Sequence, residues 1–213
     1  MTKELYIFSG LGADERVFQK MDFSGYSVNF IKWMAPNISE TIESYATRLL
    51  DQIPNKKPTL IGLSFGGLMA IEVAKQIDVE KVILIASAKT RKEIPFYYRL
   101  AGKFRLHKLL PSSLLKSSNF LTNWLFGAKS TFDKQLLKQI LFDTDPKFIK
   151  WAIDKVVRWT SETQKSNLFH IHGADDRILP LKFVACDAII KNGGHLMTLS
   201  KSEEISRIIR KQL

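Results

Sequence analysis

Residues 58–75 read Pro58-Thr59-Leu60-Ile61-Gly62-Leu63-Ser64-Phe65-Gly66-Gly67-Leu68-Met69-Ala70-Ile71-Glu72-Val73-Ala74-Lys75. The opening of this stretch is a short apolar run bounded upstream by Pro54, Asn55 and two lysines, as a buried strand would be. From Gly67 onward apolar residues recur at helical spacing. Between the two lies the pattern G-x-S-x-G, and a strand turning straight into a helix is the context that pattern needs. The turn becomes a tight elbow that lifts one serine hydroxyl above the sheet edge. Gly62 and Gly66 have a physical task in such an elbow, because side chains there would crowd the neighbouring strand and helix. The amides at the start of the helix point at the serine and favour negative charge developing there. Taken alone, the five residues fit an ordinary strand-to-helix turn as well as a nucleophile. A base and an orienting acid further along the chain would separate the two readings.

Both follow, in order. Residues 168–173 read Leu-Phe-His-Ile-His-Gly, a strand ending in glycine, and Ala174-Asp175-Asp176-Arg177-Ile178-Leu179-Pro180 comes next. An acid in the loop beyond a strand's carboxyl end is where a doubly wound sheet places functional groups. A further apolar run over 184–190 precedes Asn192-Gly193-Gly194-His195-Leu196-Met197, read as a loop and helix start. The chain order is therefore Ser, Asp, His.

In this the chain resembles the α/β-hydrolase superfamily. The resemblance rests on the elbow around Ser64, the Gly173-to-Pro180 segment, Gly194-His195, and Ser9-Gly10-Leu11-Gly12 after the first strand; it spans most of residues 4–88 and 166–213. It implies Asp176 rather than Asp175 as the acid, because in that family the acid lies three residues after the strand-ending glycine and a proline follows four residues later. It implies His195 as the base, held by Asp176 and accepting the Ser64 proton. It also implies an oxyanion hole made by the main-chain N–H groups of Phe65 and Leu11. One departure stands in the first loop, which often reads His-Gly in the family and is Ser9-Gly10 here. The family histidine supports that loop through hydrogen bonds, a role a serine can take in part.

Strands are expected at 4–9, 26–32, 58–63, 81–87, 167–172 and 184–190, and helices at 14–21, 40–52, 65–76 and 200–212. Asp14 is the expected N-cap of the first helix and Ser39 marks the start of the second. Strand–helix alternation implies a doubly wound α/β domain with a mostly parallel sheet of about six strands. The superfamily sheet usually begins with an antiparallel pair; this chain starts after it, so a sheet trimmed at the N-terminus is expected. The alternation breaks once, over 89–165, where helical patterns are interrupted at Pro95, Pro111, Gly127 and Pro146. By the resemblance this is a helical cap over Ser64, inserted into a single domain of residues 1–213 whose core is 1–88 and 166–213. Its aromatic residues, from Phe96 and Tyr97 to Trp151 and Trp159, are expected mostly to form the cap's own core and its seam with the sheet.

The chain has 213 residues, 45% hydrophobic and 25% charged, enough for one full core. No apolar run approaches the ~20 residues of a membrane span, and Leu5-Tyr6-Ile7-Phe8 is too short for a signal-peptide core. The single cysteine, Cys186, is read as core filler in a strand, and a cytoplasmic setting is the default expectation. The net charge is +11, and residues 89–165 hold 16 Lys and Arg against 6 Asp and Glu. Nearly all the excess therefore falls on the expected cap. Such a stretch can steer an anionic substrate, rest on an anionic membrane, or simply keep a solvated face soluble. Nucleic-acid binding is not expected, since no recognised motif accompanies the charge.

His170-x-His172 with Asp175 and Asp176 nearby has some of the character of a metal site. Zinc needs three or four ligands and only His107 and His195 remain elsewhere, so no metal and no cofactor are expected. His170 and His172 are read as strand residues with local hydrogen bonds, and His107 as a surface or cap-packing residue. The function implied is a serine hydrolase that cleaves a carboxylic ester or thioester, with a small acyl substrate of anionic character as the most useful version. The alternatives are a lyase or acyl transferase on the same scaffold, or a binding protein using the pocket under the cap without turnover. The substrate and the oligomeric state are not readable from the sequence.

Overall fold

The computed structural model describes residues 2–109, 111, 114, 116–162 and 167–213. Six strands form one sheet: β1 (Glu4–Phe8), β2 (Ser27–Phe30), β3 (Thr59–Leu63), β4 (Lys81–Ile85), β5 (Leu168–Gly173) and β6 (Ala188–Ile190). All pairings are parallel and the order is β2-β1-β3-β4-β5-β6. The expected parallel sheet of six strands is therefore present. Its apolar strands are the kind that parallel sheets bury on both faces.

Side-chain alternation divides the core into two layers. Tyr6, Phe8, Leu60, Val82 and Leu84 face one side, where α1 (Ile42–Leu49) and α2 (Phe65–Ala74) pack. Leu5, Ile7, Ile61, Ile83 and Ile85 face the other, against the C-terminal helices α7 (Met197–Ser200) and α8 (Ser202–Gln212). Every residue of α2 is buried, which is why its sequence is apolar around the whole circumference. Each fully buried Leu, Met or Ile on it stabilises the fold by roughly 1.5–3 kcal/mol.

Between β4 and β5 the chain is helical: α3 (Phe96–Lys103), α4 (Phe120–Phe126), α5 (Thr131–Asp143) and α6 (Pro146–Val157). The breaks fall at the residues that punctuate the sequence. Pro95 precedes α3, Gly127 ends α4 in the left-handed region at φ 71°, and Pro146 opens α6 behind the Asp145 N-cap. The expected boundary between this insertion and the core, at 165–166, lies outside the described residues.

Five local expectations are corrected. The helix expected over 14–21 is a single 3-10 turn at Glu15–Phe18, although Asp14 caps it as expected. The cap of α1 is Thr41, while Ser39 sits in a turn at φ 59°. The strand expected over 184–190 is only Ala188–Ile190. Upstream of it the Asp187 carboxylate accepts from His170 N–H at 2.7 Å, and Ala185 N–H donates to Glu93 at 3.1 Å. Side chains thus take the places that ladder partners would fill, and Cys186 lies outside the strand, half-buried, so it is not core filler. Finally, seven of the twelve insertion aromatics are exposed, among them Phe96, Phe104, Phe120 and Phe142. Only Phe148 and Trp159 are fully buried, with Trp151 joining the seam against Tyr45 and Phe65.

Candidate active site

The strand order reverses at β1, which has β2 on one side and β3 on the other. The crevice outside the carboxyl ends of strands at such a switch point is the usual binding position in an open α/β sheet. Two loops meet there: Ser9–Gly12 after β1 and the Ser64 elbow after β3.

Ser64 has φ 53° and ψ −119°, a conformation that costs a non-glycine residue about 1–3 kcal/mol. Surrounding bonds hold it there. Its N–H donates to the Ile85 carbonyl at 2.9 Å, and its carbonyl accepts from Gly67 N–H at 2.9 Å and from the Ser87 hydroxyl at 2.7 Å. Ser87 is presented by Ala86, which also has positive φ (46°) at the end of β4. The elbow glycines are there because their neighbours leave no room. A methyl group on Gly62 would lie 2.5 Å from the Gly66 carbonyl oxygen, and one on Gly66 would overlap the carbonyl oxygens of Phe8 and Ser9.

From the Ser64 hydroxyl a continuous hydrogen-bonded line runs inward. Ser64 Oγ is 2.8 Å from His195 Nε2, and His195 Nδ1 is 2.8 Å from Asp176 Oδ2. Asp176 Oδ1 accepts from the N–H groups of Ile178 and Leu179, each at 2.9 Å. Asp176 and His195 are buried, while Asp175 is exposed and bonds through its main chain to Gly193. Burial alone would raise the Asp176 carboxyl. The adjacent His195 imidazole and the Leu179 N–H outweigh it and hold that carboxyl below the usual carboxylate range. With the carboxylate on Nδ1, the imidazole presents Nε2 as an acceptor to the serine. Such an arrangement can withdraw a proton from a hydroxyl and return it to a leaving group.

The main-chain N–H of Phe65 directly follows Ser64, and that of Leu11 lies in the loop after β1. Among the described residues neither donates to a loop, turn or side-chain acceptor. Phe65 is the first residue of α2, so its amide lies at the positive end of a ten-residue helix. Ser9, which stands where the resembling family often has histidine, donates its hydroxyl to the Ala13 carbonyl at 2.5 Å and so closes the first loop on itself.

Three further residues support the site; sequence reasoning missed Ser87 and Thr144, and read His172 as a strand residue with local hydrogen bonds, which it is. Ser87 grips the elbow. Thr144, at the end of α5, shares its hydroxyl proton between the Ile140 carbonyl of its own helix at 2.6 Å and the Gly12 carbonyl at 2.7 Å, so the insertion touches the loop that carries Leu11. His172 Nε2 donates to the Leu179 carbonyl at 2.8 Å and lies 3.7 Å from Asp176 Oδ2, bracing the turn that holds the acid. Burial holds its imidazole below the usual histidine range, and pushes that of His170 down to about 3, so both rings are neutral near pH 7. Only His172 carried a signal, the His-x-His alternation; Ser87 and Thr144 sit in no recognisable pattern. On the other side, Leu196 N–H donates to the Phe126 carbonyl at 3.0 Å, and the Phe126 ring meets the His195 ring edge-on at 5.8 Å. The insertion therefore touches both the first loop and the histidine loop.

A hollow of about 350 Å³ opens beside the first loop, between Ser9 and Gly12 on one wall and Trp33, Met34, Thr144 and Phe148 on the other. Ser64 and His195 do not line it. The hydrogen-bonded line, rather than this hollow, defines the site.

No protein-family model and no curated protein sequence matches the chain. Solved structures do match. A putative lipase from Acinetobacter baumannii AYE superposes with a TM-score of 0.73 at 14% identity, covering 99% of this chain and 84% of the lipase. An esterase from Exiguobacterium antarcticum gives 0.69 at 18%, covering 98% and 91%. A bromoperoxidase from Bacillus anthracis gives 0.67 at 17%, covering 100% and 92%. The likeness runs over nearly the whole length of both partners, and the chain has the α/β-hydrolase fold.

Proposed function

We propose that this α/β-hydrolase-fold protein is a serine hydrolase that cleaves a carboxylic ester or thioester through a covalent acyl-enzyme. The observation that carries the reading is the unbroken line from Ser64 Oγ through His195 to the buried Asp176, with 2.8 Å at both links. A serine bonded only for structural reasons has no need of a buried imidazole backed by a carboxylate. In the proposed reaction Ser64 Oγ attacks the substrate carbonyl carbon while its proton passes to His195 Nε2. The tetrahedral oxyanion accepts hydrogen bonds from the N–H groups of Phe65 and Leu11. Collapse expels the alcohol or thiol, which takes the proton from His195. Water, deprotonated by the same imidazole, then releases the acid and restores Ser64. Asp176 stays ionised throughout, fixing the tautomer and stabilising the imidazolium.

In this reading residues 89–165 are the cap, excluding water from the acyl-enzyme. Support comes from the contacts of Thr144 with Gly12 and of Phe126 with His195 and Leu196.

Pre-steady-state release of p-nitrophenol from p-nitrophenyl butyrate tests the reaction class. A burst stoichiometric with enzyme, followed by slower turnover to free butyrate, is the expected result. A bromoperoxidase shares the fold, so the products must be identified as well. Turnover that yields no free acid would replace hydrolysis with another chemistry on the same residues.

A further inference from the structure

Twelve of the fourteen large apolar side chains that are exposed among the described residues belong to 89–165. The same segment carries almost all of the excess positive charge of the chain. The two properties meet on α3. Phe96, Leu100 and Phe104 follow one another at i, i+4 and i+8 along the helix and its C-cap, 61%, 51% and 62% exposed. Residues at that spacing form a single outward stripe. Arg99 and Lys103 each precede a member of the stripe, and α4 presents a second set at Phe120, Leu121 and Trp124.

A groove of about 490 Å³ shares Phe96 and Leu100 with the α3 stripe. Arg91, Arg99, Lys103 and Arg158 supply its charge, and Val157 adds to its apolar lining. No acidic residue lines it. Arg158 Nη1 lies 3.5 Å from Asp154 Oδ2, a loose pair on the rim. The Nε of Arg99 is buried and has no hydrogen-bond partner among the described residues.

We propose that the helical insertion docks on anionic lipid bilayers, with the α3 stripe entering the interface and one anionic headgroup held in this groove. Charge complementarity selects this occupant over others. A second copy would bring two strongly cationic segments face to face. Nucleic acid would leave aliphatic side chains such as Leu100, Leu106 and Leu121 without a stacking role. A cationic helix face with exposed aromatic and aliphatic residues is the pattern of a membrane-surface element.

The test is cosedimentation of the full chain with phosphatidylcholine vesicles, with or without about 30 mol % phosphatidylglycerol, since surface attraction depends on anionic lipid. Binding should appear only with the anionic lipid and should weaken in high salt. The variant Arg91→Gln/Arg99→Gln/Lys103→Gln/Arg158→Gln should bind on the order of a hundredfold or more weakly, because each surface cation contributes about fivefold. Lys129→Gln/Lys134→Gln/Lys138→Gln/Lys150→Gln removes the same charge elsewhere on the insertion and should lose much less. Leu100→Ser/Phe104→Ser, at exposed positions that leave the core intact, should also weaken binding. Equal losses in both charge variants would overturn the groove. So would binding of inorganic phosphate with no vesicle binding, or tighter binding to a short RNA duplex than to anionic vesicles. No preference for anionic over neutral vesicles would overturn the proposal as a whole. The readout is partition and does not depend on turnover.

Discussion

Asp175 and Asp176 are chemically identical neighbours, and only their surroundings give them different roles. Asp176 is buried, receives two main-chain N–H bonds and touches His195; Asp175 faces solvent. Asp176→Asn should therefore keep the fold while lowering kcat on the order of 10⁴-fold, since an amide leaves the imidazole in the wrong tautomer. Asp175→Asn should change kcat less than about threefold, as an exposed polar swap usually does little. Steady-state kinetics on a p-nitrophenyl ester distinguishes them, and comparable losses would remove Asp176 from its assigned place. The same carboxylate has a pH signature. Its folded pKa is depressed, so it contributes stability above its unfolded value of about 3.9 and loses that contribution as pH falls through the folded value. Urea midpoints taken from pH 7 to pH 3 should show the wild-type advantage over Asp176→Asn shrinking below about pH 4; a gap constant over the range would refute the depressed pKa.

The elbow shows how tightly an element can depend on one missing methyl group. Gly66→Ala drives a side chain into the carbonyls of Phe8 and Ser9. The opposing atoms are main-chain carbonyls at the end of β1 and in the loop that follows, and cannot rotate away as a side chain would, so the variant should lose about 2 kcal/mol or more in urea unfolding; a loss below about 0.5 kcal/mol would mean that the elbow is less confined. This element was legible beforehand, because strand, G-x-S-x-G and helix are contiguous and each carries its own pattern. So was the parallel sheet, through its apolar runs, and so were the insertion breaks at Pro95, Gly127 and Pro146. The edge element at 184–190 was not. Val184, Ala188, Ile189 and Ile190 look like a strand, yet whether a ladder forms depends on partners distant in sequence. Asp187 and Glu93 take those places with side-chain oxygens. Ser87 and Thr144 escaped notice for a related reason: a hydroxyl bonding a carbonyl 23 or 132 residues away leaves no periodic trace. The exposed insertion aromatics misled in the opposite sense, since aromatic content signals burial only where a layer exists to cover it.

Across the whole molecule, the sheet supplies rigid positions while the insertion touches two of the loops that meet at the site. Thr144→Val tests that coupling. It removes the hydroxyl bonded to the Gly12 carbonyl at nearly constant volume, so it should lower kcat by roughly tenfold, the equivalent of one hydrogen bond, with little change in KM. A change confined to KM would assign Thr144 to substrate binding instead. Among the described residues no helix is long and apolar enough to cross a membrane, so the membrane contact proposed for α3 is peripheral. The claim on which the functional account turns is that one strained serine, at the switch point of the sheet, is chemically activated by His195 and Asp176. Reaction of the native protein with a fluorophosphonate, followed by intact mass and peptide mapping, measures this directly. The account predicts one adduct per chain on Ser64, absent in Ser64→Ala and strongly slowed in His195→Ala. Folded protein that remains unlabelled, or an adduct that persists in Ser64→Ala, would contradict it.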